Sequence, residues 1–128
     1  MRILVDTHAL LWFLQGDSRL SATAREAIES SSNTRFLSDA SVWEMSIKQS
    51  WGKLKLAEPF ESRLTAALDR NAFEQLPIAR SHLFAVSRLP FHHRDPIDRI
   101  IIATALVENL PIVTQDSHFS AYPIEVIW

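Results

Sequence analysis

The sequence contains no cysteine and only two glycines among its 128 residues. Without cysteine, disulfide frameworks, thiolate nucleophiles and cysteine-ligated zinc or iron–sulfur centres are all excluded. The scarcity of glycine, with 47% apolar and 22% charged residues, is typical of a packed domain and excludes collagenous or low-complexity chains. We therefore expect residues 1–128 to form a single domain.

Long apolar runs are also missing. No stretch of the sequence approaches the roughly 20 apolar residues that a membrane-spanning helix requires. Near the N-terminus, Asp6 stands only three residues after Ile3 and interrupts the apolar run too early for a signal peptide. We expect a cytoplasmic protein that makes no membrane contact.

An excess of positive charge is the third thing that the sequence lacks. Lysine and arginine together number 13, aspartate and glutamate 15, and the formal net charge is −2. Proteins that bind nucleic acids usually carry a basic excess that neutralises phosphates. The balance argues against a general nucleic-acid-binding surface unless several acids are gathered at one metal site, which would leave the remaining surface weakly basic.

Short apolar segments alternate with helical patterns along the whole sequence. Strands are predicted at residues 2–5, 35–37, 73–78, 111–114 and 124–127, and helices at 9–14, 22–30, 38–49, 59–68, 81–89 and 96–106. The clearest helix start is Asp95-Pro96, an N-cap followed by proline in the first turn. This alternation predicts a three-layer α/β/α domain with a mainly parallel central sheet.

Four acids are predicted to lie at one edge of this sheet. Asp6 follows the first strand, Asp116 follows the strand at 111–114, and Asp98 lies in the first turn of the helix before it. Glu44 lies in the helix that follows the strand at 35–37. Because the carboxyl ends of parallel strands meet at one edge, where ligands bind, we expect these side chains to converge. The alternative role for Asp6 is a cap on the following helix.

Gathered carboxylates repel one another unless a cation compensates their charge. Mg²⁺ or Mn²⁺ is the natural cation for an all-oxygen site, and such a site suits phosphoryl chemistry. Thr7 and Thr114, one or two residues from site acids, are candidates to orient a carboxylate or a water molecule.

Four segments in order along the sequence resemble the successive motifs of PIN-domain ribonucleases, specifically the VapC-like toxins of bacterial and archaeal toxin–antitoxin pairs. These segments are Val5-Asp6-Thr7-His8-Ala9-Leu10-Leu11-Trp12, Ser38-Asp39-Ala40-Ser41-Val42-Trp43-Glu44, His93-Arg94-Asp95-Pro96-Ile97-Asp98-Arg99 running into Ile102-Ala103-Thr104-Ala105, and Thr114-Gln115-Asp116-Ser117-His118-Phe119. The resemblance implies a PIN-like nuclease domain over residues 1–128. It further implies an endoribonuclease that depends on Mg²⁺ or Mn²⁺, forms a homodimer and is inhibited by a cognate antitoxin protein.

The resemblance also assigns the site residues. Asp6 matches the first acid of the family, Glu44 the second, Asp98 the third and Asp116 the fourth. Asp98 is matched by its spacing from Ala103-Thr104-Ala105, and Asp95 stays open as a further metal contact.

Basic and aromatic residues near these acids suggest contacts with RNA and protein partners. His93, Arg94 and Arg99 flank the third acid and are candidates for phosphate contact. Trp12, Trp43, Trp51 and Phe60 are core candidates by default, yet four tryptophans in so small a domain suggest that some cover a partner interface.

Three other functions compete with this interpretation. In an aspartyl-phosphate phosphatase Asp6 would be the nucleophile, but such enzymes usually place a second aspartate two residues later, where this chain has His8. In a metal-independent ribonuclease His92 and His93 would be base and acid, although adjacent histidines on an extended loop diverge. The third is a non-catalytic RNA- or protein-binding module whose acids hold a structural cation.

Overall fold

Residues 1–54 and 59–128 are described by the structure, a computed structural model. Its strands are β1 (Arg2–Val5), β2 (Thr34–Ser38), β3 (Phe73–Leu76), β4 (Ile112–Val113) and β5 (Val126–Ile127). They form one sheet in the order β3-β2-β1-β4-β5, and every neighbouring pair is parallel. The earliest strand in the sequence therefore lies at the centre of the sheet.

Six α-helices connect the strands within the described ranges. They are α1 (Thr7–Gln15), α2 (Ala22–Glu29), α3 (Asp39–Ser50), α4 (Phe60–Arg70), α5 (Arg80–Val86) and α6 (Pro96–Glu108), and a short 3-10 helix spans Ser117–Ala121. In this part of the chain no helix has both the length and the apolar character needed to cross a membrane.

Both faces of the sheet are covered by helices. On β1, Leu4 packs on one face with Ile101 and Ile102 of α6, whereas Ile3 and Val5 on the other face pack with residues of α1 and α2. Successive side chains of a strand point to opposite faces, so a strand that is apolar throughout fits a sheet buried on both sides. The predicted α/β/α domain with a mainly parallel sheet is confirmed.

Helix α6 begins as its sequence predicts. Oδ1 of Asp95 accepts hydrogen bonds from the backbone N–H of Ile97 at 2.8 Å and of Asp98 at 3.2 Å, and Pro96 occupies the first turn. Ile101 and Ile102 are fully buried, because the helix lies between the sheet and α5. This buried position fixes where the first turn, and with it Asp98, meets the sheet edge.

Helix α5 is shorter than the predicted helix at residues 81–89 and begins one residue earlier. The helix begins at Arg80, and the backbone N–H of Ala79 donates to Nδ1 of His82 at 3.0 Å. After Val86 the backbone tightens into three-residue turns, with the N–H of Leu89 donating to the carbonyl of Val86. The predicted continuation of the helix to Leu89 was wrong for this reason.

Candidate metal centre

Asp6 ends β1 as a buried carboxylate that is only 5% exposed. Although it stands at the N-cap position of α1, its side chain makes no capping hydrogen bond. Oδ2 instead accepts from the hydroxyl of Thr114 at 3.0 Å, while Oδ1 is buried without a hydrogen-bond partner among the described residues. The capping role for Asp6 is therefore wrong, and one carboxylate oxygen remains unpaired in the interior.

Glu44 reaches the same region from α3. Its side chain is 12% exposed, and Oε2 lies 3.3 Å from Nζ of Lys48 one turn later in the helix. Oε1 is buried and makes no hydrogen bond within the described ranges. The sequence analysis overlooked Lys48, although a glutamate four residues before a lysine is a recognisable helix pair.

Asp98 lies in the first turn of α6, with Oδ2 at 3.1 Å from Nε2 of His93. Burial, followed in decreasing order by the negative charges of Asp6, Asp95, Glu44 and Asp116, raises the pKa of Asp98 to about 8. Asp6, Asp98 and Asp116 also line one cleft, so the predicted convergence of these acids has structural support.

The side chain of Asp95 has different hydrogen-bond partners from that of Asp98. Its Oδ1 accepts both backbone hydrogen bonds that cap α6, and the residue is exposed. We find a sufficient structural role for Asp95 in this cap, and Asp98 is the acid whose side chain faces the other carboxylates. The choice of Asp98 as the third acid stays a prediction.

Asp116 is held by hydrogen bonds on both oxygens. Oδ1 lies 2.9 Å from the backbone N and from Nδ1 of His118, and Oδ2 lies 3.0 Å from Nε2 of His93. Partial burial acts to raise the pKa of Asp116, but hydrogen bonds from the His118 backbone and from the His93 and His118 side chains outweigh it, so the pKa is lowered. Asp116 is therefore readily ionised.

Thr114 connects the two strand-end acids. Its hydroxyl donates to Oδ2 of Asp6 and accepts from the backbone N–H of Asp116 at 3.1 Å. The expected role of Thr114 in orienting a carboxylate is confirmed. Thr7 is used elsewhere, because its hydroxyl donates to Oγ of Ser41 at 2.8 Å and joins α1 to α3.

Arg99, predicted to contact phosphate, is buried and faces the protein interior. Its guanidinium donates to the carbonyls of Pro90 at 3.0 Å and of His93, Val86 and Leu89 at 3.3 Å. A guanidinium that donates to four carbonyls has no pair of N–H groups left to bind a phosphate, so this geometry does not support the predicted contact. Arg94 is exposed, and His93 is half-buried beside Asp98 and Asp116.

Tyr122 is a site residue that the sequence analysis missed. Its buried hydroxyl accepts from the backbone N–H of His92 at 3.2 Å and of His93 at 3.1 Å, and donates to the carbonyl of Pro90 at 2.7 Å. No local pattern reveals these contacts, because about 30 residues separate the partners in sequence. Tyr122 and Arg99 together fix the loop at residues 90–94, which carries His93 to the acids.

The acids open into a cleft of about 550 Å³, whose lining includes Asp6, Asp98, Asp116 and His118. Burial raises the pKa of Asp6 above its ordinary value, and the nearby charge of Glu44 contributes to the rise. Raised carboxylate pKa values and the unpaired oxygens of Asp6 and Glu44 indicate negative charge that the described side chains do not balance. The donor set of hard oxygens fits a divalent cation such as Mg²⁺ or Mn²⁺.

Solved structures share the fold of this chain. VapBC2 from Rickettsia felis, bound to a DNA fragment of its promoter, has a TM-score of 0.73 and 18% identity, covering 98% of this chain and 97% of that one. A toxin–antitoxin complex from Klebsiella pneumoniae has a TM-score of 0.69 and 22% identity over 98% and 96% of the chains. VapBC-5 from Mycobacterium tuberculosis has a TM-score of 0.61 and 20% identity over 98% and 97%. Curated protein sequences give no significant match.

The sequence also matches a family model. The model describes the PIN domain and covers residues 3–125, which include Asp6, Glu44, Asp98 and Asp116. The matched region runs from β1 to the residue before β5 and so contains nearly the whole sheet. The chain belongs to the PIN domain family of nucleases.

Proposed function

We propose that this chain is an endoribonuclease that depends on Mg²⁺ or Mn²⁺ and hydrolyses RNA phosphodiester bonds as the toxin of a toxin–antitoxin pair. The observation that carries this proposal is the convergence of Asp6, Asp98 and Asp116 on one cleft near the charge of Glu44, with a buried and unpaired oxygen on Asp6 and on Glu44. A binding module has no need of so many uncompensated charges at one strand edge.

In the proposed site, Asp6, Glu44, Asp98 and Asp116 hold the cation, and Asp95 supports Asp98 by capping the helix. A divalent cation bound there supplies the positive charge that activates water and stabilises the departing 3′ oxygen. Thr114 fixes the orientation of Asp6 by donating to Oδ2, which leaves Oδ1 for the cation. Arg94, exposed on the loop beside the acids, offers an RNA phosphate a guanidinium contact.

The proposed partners are the RNA substrate, a second copy of the chain and an antitoxin protein. The similar structures are toxin–antitoxin complexes, which supports an antitoxin here as well. Trp43 and Trp51 are 55% and 65% exposed, and large aromatic side chains on a surface are typical of protein interfaces. Trp12 packs edge-on against Trp128, and Phe60 packs against the hydrophobic core, so these two are partly buried. Because its substrate is RNA inside the cell, we also propose a cytoplasmic location.

The proposed function is tested by incubating the purified full chain with a mixed RNA substrate and Mn²⁺. We expect cleavage that excess EDTA abolishes and added Mn²⁺ restores. The matched control is Asp6→Asn, which keeps the size of the side chain and removes its charge. Cleavage that persists in EDTA would overturn the metal mechanism. A chain that binds Mn²⁺ and RNA but never cleaves would favour the binding-module alternative.

A further inference from the structure

His93 stands between two of the proposed metal ligands. Its Nε2 lies 3.1 Å from Oδ2 of Asp98 and 3.0 Å from Oδ2 of Asp116, so one ring nitrogen contacts both carboxylates. His118 also approaches Asp116, and suitable atoms of His93, Asp116 and His118 lie within 4.8 Å of one another. Distances alone therefore allow His93 either to bind a metal or to donate a hydrogen bond.

The second ring nitrogen decides between these roles. Nδ1 of His93 accepts a hydrogen bond from the backbone N–H of Asp95 at 3.2 Å. A nitrogen that accepts carries no proton, so the ring proton lies on Nε2. Nε2 then has no lone pair for a metal ion and is a donor placed between the two carboxylates.

The surroundings of His93 keep the ring in this position. The hydroxyl of Tyr122 accepts from the His93 backbone N–H, and buried Arg99 donates to the His93 carbonyl. The ring also packs edge-on against Phe119, with centroids 5.8 Å apart. Backbone, ring face and Nδ1 are thus each fixed by a different partner.

We propose that His93 is a positioning residue, whose Nε2–H holds the carboxylates of Asp98 and Asp116 together and leaves their other oxygens for the cation. The proposal rests on the proposed function, because it takes these acids as metal ligands. Hydrogen bonds to ligating carboxylates orient them, and losing such a partner typically costs about 10–100-fold in metal affinity. A single donor shared by two acids also reduces their repulsion before the cation arrives.

The test compares Mn²⁺ binding to the full chain and its variants by calorimetry, without RNA. We expect His93→Ala to weaken Mn²⁺ binding about 10–100-fold and His93→Gln, whose amide reaches to a similar position, to recover most of the affinity. In RNA cleavage at subsaturating Mn²⁺ we expect His93→Gln to recover most of the rate that His93→Ala loses. The matched control is His92→Ala, since the His92 ring packs on Tyr122 and contacts neither acid. Circular dichroism checks that each variant is folded.

Three results would overturn the proposal. Unchanged Mn²⁺ affinity in His93→Ala would show that the shared donor does not matter. Loss of a nitrogen coupling to bound Mn²⁺ in the pulsed electron paramagnetic resonance spectrum of His93→Gln would make His93 a ligand. A raised KM for RNA with unchanged Mn²⁺ affinity would make it a phosphate contact. Asp6→Asn separates these outcomes from failure of the proposed function. If Asp6→Asn weakens Mn²⁺ binding and His93→Ala does not, only the role of His93 fails. If the unmodified chain does not bind Mn²⁺, the proposed function fails as well.

Discussion

At the scale of single residues, Asp95 and Asp98 lie three positions apart at the start of α6 and have two different roles. Oδ1 of Asp95 receives two backbone N–H groups and begins α6. Asp98, three residues later in the first turn of α6, lies near the other acids, whose negative charges help to raise its pKa. The carboxylate of Asp95 therefore stabilises the fold, whereas the carboxylate of Asp98 is repelled by the other acids, and a bound cation would reduce this repulsion.

This division predicts opposite results for two similar substitutions. Asp95→Asn should leave RNA cleavage within a few-fold of the unmodified chain, because asparagine caps helices about as well as aspartate. Asp98→Asn should lower kcat/KM by about 100-fold or more, because it removes a charge from the metal site. Rates measured at saturating Mn²⁺ check both. Full activity in Asp98→Asn with an inactive Asp95→Asn would reverse the assignment.

The raised pKa of Asp98 also predicts how the free energy of unfolding changes with pH when no metal is bound. Its pKa is about 8 in the folded chain and near its ordinary value of 3.8 when unfolded. Between these pH values the folded state binds more protons, so the free energy of unfolding decreases as pH rises from about 4 to about 8. We expect a loss of roughly 2–4 kcal/mol, below the full linkage value because water and neighbouring groups relax around the charge.

The measurement is urea unfolding in EDTA at pH 5 and pH 9. Asp98→Asn should unfold with a much smaller difference between the two pH values, and the unmodified chain in saturating Mn²⁺ should resemble it. An equal pH dependence in the chain and the variant would assign the effect to another group.

The roles of site residues were predictable where they follow from the rule that ligands bind at the carboxyl ends of parallel strands. They were unpredictable where long-range packing determines what a side chain contacts. The placement of Asp6 and Asp116 at one sheet edge followed from two short apolar segments, each ending in an acid. Arg99 was misread because charged side chains near a site are expected to face solvent, whereas this one is surrounded by carbonyls. Tyr122 gave no signal, since its partners come from a distant loop.

At the scale of elements, the loop at residues 90–94 connects α5 to α6 and is fixed from both sides. Arg99 on α6 donates to its carbonyls at Pro90 and His93, and lies 4.1 Å over the ring of Phe91. Tyr122 binds its N–H groups from the far side. The loop has no regular secondary structure, yet the N–H groups of His92 and His93 and the carbonyls of Pro90 and His93 are hydrogen-bonded, as a precise site requires.

Tyr122→Phe should therefore destabilise the protein and loosen this loop. Removing the hydroxyl leaves the backbone N–H groups of His92 and His93 without their partner and takes away one of the two donors to the Pro90 carbonyl, which costs about 1–3 kcal/mol. Urea unfolding measures the loss, and faster amide exchange at His92 and His93 locates it. Arg94→Ala, a change on the exposed side of the same loop, is the control and should keep the stability of the unmodified chain. Unchanged amide exchange in Tyr122→Phe would contradict the role of the hydroxyl.

The elements themselves were largely predictable from the sequence because the α/β alternation is strong. The start of α6 was visible in Asp95-Pro96, and the end of α1 in Gly16, which adopts the left-handed conformation at φ 63°. The end of α5 was not visible, since the carbonyls of Val86 and Leu89 turn to the guanidinium of Arg99. A long-range contact of this kind leaves no periodic trace in the sequence.

At the scale of the whole molecule, the proposed chemistry predicts the ends of the RNA products. In metal-dependent hydrolysis water attacks phosphorus and the 3′ oxygen departs, which leaves a 5′-phosphate and a 3′-hydroxyl. We expect mass spectrometry to find these ends, and an RNA with one 2′-deoxy nucleotide at the cut site to be cleaved. A histidine acid–base pair would instead use the 2′-hydroxyl and leave a 2′,3′-cyclic phosphate. Cyclic ends would refute the role of the acids in hydrolysis.

The central position of β1 has a consequence for synthesis on the ribosome. β1 pairs with β4, and the hydroxyl of Thr114 that binds Asp6 lies 108 residues later in the sequence. Long-range pairing of this kind forms late, because all of the residues between the two strands must emerge from the ribosome first. A nascent chain therefore carries Asp6 long before Asp116, and the site stays incomplete until Thr114 and Asp116 have been added.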